Sequence, residues 1–469
     1  MRSWVDSSSQ YCKMSNIDQL RNRIDEITLQ MLRLFKDRTD IARQIGELKK
    51  SSGLGVTDEA REEQLRVRVT QMCKDIGLDE SLGKKFLNFL LNESVKIQSE
   101  GKQTHLTVFL KAKALEQQGR KIIHMEVGEP DFMPPAAAKT GFDEAFDGGI
   151  VRYGPAAGMP RLRAALAEYA IRNFGANATA ENILVSPGGR FAVYLAVNTL
   201  LNPGDEIIII EPAWPAYREC AINAGIKVRT IQTRLEDKWE PSITQIEQAI
   251  NSNTKMIVMN YPNNPTGKIL APAIQDRIVE IARKNDLYVL SDEIYSLYAY
   301  RDWKSVLANN YEKTIVTQSF SKSHAMTGFR IGYTVADKSI IDRMVKLQAL
   351  CITNVAEPIQ YAALKALNSD LVQYKKSMKS KLDTVSEEAR RIGLEFLEPD
   401  GAMYVFARAG AGIFDGLDFT NRLLERGVAV APGEGFGNYR GFIRISVAQD
   451  ENKLKEGMKI LDEVLKGYR

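Results

Sequence analysis

A single lysine set among hydroxyls is the first sign of chemistry in this chain. In the stretch Thr314–Tyr333, TIVTQSFSKSHAMTGFRIGY, a β-branched run breaks into Ser319, Ser321 and Ser323 around Lys322. Arg330 follows eight residues later, and a second strand-like run begins at Ile331. An amine leaving a strand end in this way is a nucleophile toward an aldehyde or ketone. Hydroxyls and a guanidinium beside it are phosphate ligands, and arginine grips a phosphate through two parallel bonds, as lysine cannot. The competing reading is a surface turn with an incidental lysine, and the stretch alone weighs the two equally.

Three other clusters shift that balance. Asn260-Tyr261-Pro262-Asn263-Asn264-Pro265-Thr266-Gly267 follows the apolar run Met256–Met259. Ser291-Asp292-Glu293-Ile294-Tyr295 follows Leu287–Leu290, and Ser186-Pro187-Gly188-Gly189-Arg190 follows Ile183–Val185 and precedes a helical pattern. Each sits at a predicted strand's carboxyl end, where open α/β sheets bind their ligands. The four are therefore candidates for one site.

Taken together, SFSKSHAMTGFRIGY, NNPTG, SDEIY and the late Phe442-Ile443-Arg444-Ile445-Ser446 resemble the aspartate/aromatic (class I) aminotransferases, dimeric pyridoxal-phosphate enzymes. The resemblance spans residues 101–469, and the motifs fall in the family's order. It implies that Lys322 holds the aldehyde of pyridoxal 5′-phosphate and then moves the substrate's α-proton. It implies that Asp292 pairs with the ring nitrogen, keeping the ring an electron sink, and that Asn264 and Tyr295 bond the phenolic oxygen. Ser319, Arg330 and the backbone of Gly189 and Arg190 would hold the phosphate, the last two at a helix start that favours an anion. Trp214, in Glu211-Pro212-Ala213-Trp214, matches the aromatic residue stacked on the ring. Tyr153 matches a tyrosine that reaches the partner subunit's phosphate. Arg444, with Gly128 near it, matches the clamp on the substrate α-carboxylate, and Arg190 is a candidate for the distal carboxylate of an acidic substrate.

A different periodicity governs the first hundred residues. Ile17, Leu20, Ile24, Ile27, Met31, Leu34, Arg38, Ile41, Ile45 and Leu48 alternate steps of three and four, which predicts a seam along about 35 residues, or ~50 Å, of helix. One helix that long cannot bury its seam alone and needs partners. Arg38 breaks the apolar phase, and a charge in that position is costly unless it meets a carboxylate or an anionic ligand. A second helix is predicted from near Thr57 or Asp58 to Gly77, where acids favour its first turn. A third starts near Asp79 and carries Leu87, Leu91, Ser94 and Gln98 on one face.

Residues 16–98 resemble the all-helical chorismate mutases, matching at Arg21, Arg38, Lys49, Asp58, Arg61, Glu62, Ser94 and Gln98. That rearrangement is pericyclic and needs no nucleophile. The site has to hold a folded dicarboxylate and favour charge on the breaking ether oxygen. By resemblance, Arg38 and Arg21, one of them from a partner chain, bind carboxylates. Lys49 and Gln98 donate to the ether oxygen, Glu62 holds the ring hydroxyl, Ser94 assists a carboxylate, and Asp58 and Arg61 shape the wall. An ordinary charged three-helix bundle accounts for Arg21, Lys49 and Glu62 singly, but poorly for Arg38 in the seam and Gln98 on the apolar stripe.

The elements that must position these residues follow. The chain has 469 residues, 44% of them hydrophobic, enough for more than one domain. Residues 1–14 read as a disordered extension in which Met14 could be the true start. Residues 15–100 form an all-α three-helix domain, and the polar stretch 99–107 marks the boundary. Residues 101–469 alternate strands with helical stretches, which predicts a mainly parallel α/β sheet, and the resemblance implies the α/β pyridoxal-phosphate transferase fold (fold type I). Its large domain spans about 150–340, and a smaller α+β domain takes 105–149 and 341–469. A net charge of +4 calls for neither nucleic acid nor membrane, and three histidines with four scattered cysteines make a zinc site unexpected. Scattered thiols fit a reducing cytoplasm.

The expected whole is a homodimeric bifunctional enzyme of phenylalanine and tyrosine biosynthesis. It would make prephenate from chorismate, then transaminate prephenate or an aromatic 2-oxo acid with glutamate or aspartate. One alternative is an aspartate aminotransferase with a non-catalytic helical domain that dimerises or senses an effector. Another, a regulator with an aminotransferase-like sensor, would want an N-terminal DNA-binding domain, and a 35-residue first helix is too long for helix-turn-helix.

Overall fold

The computed structural model describes residues 5–51, 59–98, 105–409 and 416–467. The chain divides into two compact units, 1–102 and 103–469, each taken by itself below.

The first unit is three helices: α1 Val5–Ser51, α2 Glu59–Ile76 and α3 Glu80–Gln98. The helix begins at Val5, within the stretch expected as an extension, because Val5–Ser15 contains no glycine or proline to stop it. The core is small. Ala42 of α1, Cys73 of α2 and Leu87 of α3 are buried. Gly83 lets α3 approach α2 closely, since a Cβ there would stand 2.1 Å from the Cys73 sulfur. Phe35 stacks on Phe89 with centroids 5.6 Å apart. The seam of α1 stays exposed in the single chain, from Ile24 at 62% to Leu34 at 70% and Leu48 at 68%.

The second unit opens with α4, His105–Gln117, and the two-residue strand β1, Ile123–His124. Seven strands then build one sheet: β2 Ile183–Ser186, β3 Glu206–Glu211, β4 Lys227–Gln232, β5 Thr254–Asn260, β6 Tyr288–Asp292, β7 Thr314–Ser319 and β8 Gly332–Ala336. Their order is β2-β8-β7-β6-β5-β3-β4. All pairings are parallel except those of β8, which is antiparallel to both neighbours. Because β8 reverses, β2 runs the same way as the rest. Alternate side chains point to opposite faces. Ile207, Ile209, Met256, Val258 and Leu290 pack under the helices Gly189–Leu200 and Lys338–Ile352. Ile208, Ile257, Val289 and Val316 pack under the helix Pro272–Lys284 on the other face. A sheet covered twice explains the unbroken apolar runs in the sequence.

Strands β9 Glu395–Phe396, β10 Tyr404–Arg408, β11 Val428–Ala429, β12 Ala431–Pro432 and β13 Phe442–Ser446 complete the chain. Four form an antiparallel sheet ordered β12-β13-β10-β9, and β11 pairs with β1 in parallel. Helices Val372–Arg391 and Glu451–Lys466 cover this sheet through Met378, Leu382, Leu454 and Leu461.

Candidate active sites

The parallel strands deliver their last residues to one edge of the large sheet. Asn260 ends β5, Asp292 ends β6 and Ser319 ends β7. Register sets Asn260 opposite Asp292, and Asp292 opposite Thr317. Asn260 fixes its neighbours, donating from Nδ2 to the Asp292 carbonyl at 2.8 Å and accepting at Oδ1 from the Asn264 amide at 3.0 Å. Beyond β2, Gly188 at φ +81° starts the helix Gly189–Leu200, and β3 runs into Trp214.

Asp292 is buried. Its Oδ2 accepts from the Tyr217 hydroxyl at 2.6 Å, and Oδ1 accepts from the Ile294 amide at 3.3 Å. Burial pushes its carboxyl up to about 6, against the pull of those donors and of Lys322. Lys322 stands on the four-residue turn Phe320–Ser323, and its Nζ donates to the Gly128 carbonyl. Burial pushes the amine down to about 8, opposed by Glu129 and Asp292 and helped by Arg444 and Arg330.

Arg330 holds a positive φ of 52° and donates to the Thr327 carbonyl at 2.9 Å. Its guanidinium lies against Gly188, where a Cβ would stand 3.0 Å from Nη2. A Cβ on Gly189 would meet Ile294 at 3.2 Å and the Ser319 Cβ at 3.8 Å. Glycine at 188 and 189 thus admits Arg330 and Ser319 to the start of one helix. The Arg190 guanidinium is exposed and lies 4.6 Å over the Trp214 ring.

Arg444, in the middle of β13, is 2% exposed. Nη1 donates to Asn264 Oδ1 at 2.8 Å, Nη2 donates to the Glu126 carbonyl, and Nε has no protein partner. The Tyr404 ring, 4.3 Å away, and the Phe436 ring, 4.9 Å away, are both in cation–π contact with it. Tyr295 reaches the same place, sharing a 2.7 Å bond with the Tyr404 hydroxyl. Gly128, Asn264, Tyr295, Lys322 and Arg444 are therefore linked through shared contacts. Tyr153 is not: it is 88% exposed, in a hollow of about 610 Å³ with Val151 and Ile352.

In the first unit, half-buried Arg38 crosses from α1 to α3. Its Nη1 donates to Ser94 Oγ at 2.5 Å and to the Leu90 carbonyl at 2.8 Å, and burial lowers its affinity for its proton. Glu62 lies 3.9 Å from Arg66. Arg21 pairs with Asp18 at 3.2 Å on an exposed face, Arg61 contacts Gln64 at 3.4 Å, and Lys49 is half-buried. Asp58 and the Gln98 side chain lie outside the described residues.

Tyr217, Tyr404, Phe436 and the Glu126 carbonyl escaped the sequence reading. Tyr217 lies three residues beyond Trp214, and its amide donates to the Trp214 carbonyl at 3.3 Å, so its spacing was a signal. Tyr404 and Glu126 had none, since only folding brings them to Arg444.

Residues 120–461 match the family model for aminotransferase class I and II, and residues 20–99 match that for chorismate mutase type II. Aspartate aminotransferase of Pyrococcus horikoshii is 37% identical over 358 residues, covering 74% of this chain and 92% of that protein. Aspartate/prephenate aminotransferase of Thermus thermophilus is 34% identical, covering 76% and 95%. The structure of Thermus thermophilus aspartate aminotransferase with maleate superposes with a TM-score of 0.75 at 32% identity, covering 78% of this chain and 98% of that one. This family uses pyridoxal 5′-phosphate. The chain belongs to the class I and II aminotransferases, and it carries a chorismate mutase type II domain ahead of the aminotransferase.

Proposed function

We propose that the second unit transfers an amino group between glutamate or aspartate and prephenate or an aromatic 2-oxo acid. The observation that carries this reading is the joining of Lys322, Gly128, Arg444, Asn264 and Tyr295 through shared contacts. The donor set fits pyridoxal phosphate. A buried carboxylate suits a protonated ring nitrogen, an amine eased toward its neutral form suits an aldehyde, and a helix start beside Arg330 suits a phosphate. When bound, the cofactor supplies an electrophilic carbon and a ring that draws electrons from the substrate's α-carbon.

The remaining work falls to the chain. Asp292 holds the ring nitrogen's proton, and Tyr217 holds Asp292. Ser319, Arg330 and the amides of Gly189 and Arg190 take the phosphate, while Trp214 covers the ring. Asn264 and Tyr295 address the phenolic oxygen. Lys322 removes and returns the proton at the substrate α-carbon. Arg444 binds the α-carboxylate with Gly128 beside it, and its unpartnered Nε is a donor left for that purpose. Arg190, at the rim over Trp214, takes a distal carboxylate. Prephenate has one, and the Thermus thermophilus relative is named for both aspartate and prephenate.

The first unit rearranges chorismate to prephenate, on the support of its family match and of Arg38 turned inward to Ser94. Lys49, Glu62 and Gln98 complete that site with Asp58, Arg61 and a partner's arginine. The exposed seam of α1 supports a homodimer. A dimer would also bring Tyr153 to the neighbouring subunit's phosphate. The large domain of the second unit spans about 150–340, and 105–149 with 341–469 forms the small one. No described helix is long and apolar enough to cross a membrane. Cys73, Cys220 and Cys351 are unpaired, which supports a cytoplasmic enzyme. Steady-state assays of the purified protein with chorismate, and with prephenate, phenylpyruvate, 4-hydroxyphenylpyruvate and oxaloacetate as acceptors, test this reading. Transamination confined to oxaloacetate, with no turnover of chorismate, would replace it by an aspartate aminotransferase with a non-catalytic helical domain.

A further inference from the structure

Tyr404, the first residue of β10, touches both ends of the aminotransferase site. It is 1% exposed. Its hydroxyl lies 2.7 Å from that of Tyr295, and its ring lies 4.3 Å from the Arg444 guanidinium carbon. Gly128 passes so close that a Cβ there would stand 1.9 Å from the Tyr404 oxygen, so that hydroxyl is enclosed between the Gly128 backbone and Tyr295. The charged groups that face the two hydroxyls are Arg444 from β13 and Asp292 from β6.

Either hydroxyl of the pair can donate to the other. If Tyr295 spends its proton on the cofactor's ring oxygen, as proposed above, only Tyr404 is left to donate between them. A hydroxyl whose oxygen already accepts a bond is a stronger donor. We propose that Tyr404 is a positioning residue for both ends of the bound ligand: its hydroxyl strengthens the bond Tyr295 makes to the ring oxygen, and its ring holds Arg444 for the carboxylate. This rests on the roles given to Tyr295 and Arg444. A Tyr404 that merely fills the core of the small sheet would affect stability and neither of these properties.

Tyr404→Phe separates the two contributions, since it keeps the ring and removes the hydroxyl. The readout is the pH titration of the visible absorbance of the resting holoenzyme, without substrate. A weaker donor at Tyr295 leaves more negative charge on the ring oxygen, which then holds the neighbouring proton more tightly. The midpoint should rise by about half a pH unit, with KM for glutamate nearly unchanged because the ring remains. Tyr404→Leu should show the same midpoint shift together with a roughly tenfold higher KM, from the loss of the cation–π contact. Tyr295→Phe should raise the midpoint further, and adding Tyr404→Phe to it should change nothing more. A Tyr404→Phe midpoint equal to wild type, beside a shifted Tyr295→Phe, overturns this inference alone. A Tyr295→Phe midpoint equal to wild type overturns the role of Tyr295 and this inference with it.

Discussion

Asp292 and Lys322 each carry a proton affinity displaced by burial, the acid up to about 6 and the amine down to about 8. Both displacements suit the roles proposed: a cationic ring nitrogen would draw the acid back down, and an amine eased toward its neutral form would be ready to meet an aldehyde. Lys322→Ala should abolish transamination and the visible band of covalently held cofactor, and leave chorismate turnover intact; full transaminase turnover by the variant would sink the assignment. Asp292→Asn should slow transamination severely. It should also raise the thermal midpoint of the cofactor-free protein at neutral pH. An acid whose folded pKa is raised destabilises the fold above its unfolded value, through the window from about 4 to about 6, and the amide escapes that cost. An unchanged or lower midpoint contradicts the burial argument. At Arg190 the position is exposed, so the expected effect is modest. Arg190→Ala should lower kcat/KM for glutamate, aspartate and prephenate by about tenfold, roughly 1.4 kcal/mol, and spare phenylpyruvate. Equal losses for both classes would assign Arg190 to the cofactor. Lys322, Asp292 and Arg444 could be singled out in the sequence because each stands inside a short motif of ordered residue types. Tyr217 and Tyr404 were not, because a tyrosine's partner is chosen by tertiary approach.

At the level of elements, the long apolar runs announced themselves and the two-residue strands did not. β5, β6 and β7 are buried on both faces and read as continuous β-branched or apolar stretches. Nothing in the composition of β8 distinguishes an antiparallel strand, so its direction was out of reach. β1 is too short to show a period; the Ile123 and Met125 amides tie it to the Gly427 and Ala429 carbonyls at 2.8 and 2.9 Å, and side chains add to that hold. His124 Nδ1 lies 2.7 Å from Glu126 and Nε2 lies 3.1 Å from Glu116 of α4. The bond to Glu126 is the main cause that raises the imidazole's affinity for its proton, against the cost of its half-burial. The sign follows directly. A histidine whose folded pKa is raised contributes stability that is fully present below its ordinary value near 6.5 and lost as pH rises through the higher folded value. The melting temperature of the second unit should therefore fall as pH rises through that window, and His124→Gln should flatten the slope. A slope unchanged by that substitution would remove His124 as its source. Since Glu126 also offers its carbonyl to Arg444, the same variant should raise KM for glutamate.

The whole molecule joins two proposed sites with no described residue in common, and the roles proposed for Arg21 and Arg38 would leave the first incomplete in one chain. Arg21 and Arg38 lie seventeen positions apart on α1. A straight helix puts about 25 Å between them, too far for both to grip one small dicarboxylate. Arg38 turns inward to Ser94, while Arg21 stays 71% exposed beside Asp18 on a helix whose apolar seam is uncovered. A second copy laid along that seam would hide the apolar residues and could bring its own Arg21 toward this chain's Arg38. The seam was legible from its three-and-four spacing, because that period sets apolar residues along one face of a helix; what would cover that face was not. Arg38→Ala should cost on the order of 3 kcal/mol or more in chorismate turnover and leave transamination unchanged, and Arg21→Ala should likewise affect the mutase alone. The two variants together give the sharper test. In a mixed dimer one site regains both arginines and the other loses both. Random pairing makes half the dimers mixed, with half of their sites restored, so co-expressed variants should recover about a quarter of wild-type mutase activity. Activity no greater than the sum of the two separate variants would place both arginines in one chain's site or Arg21 outside it, and the partner-supplied arginine would have to be abandoned.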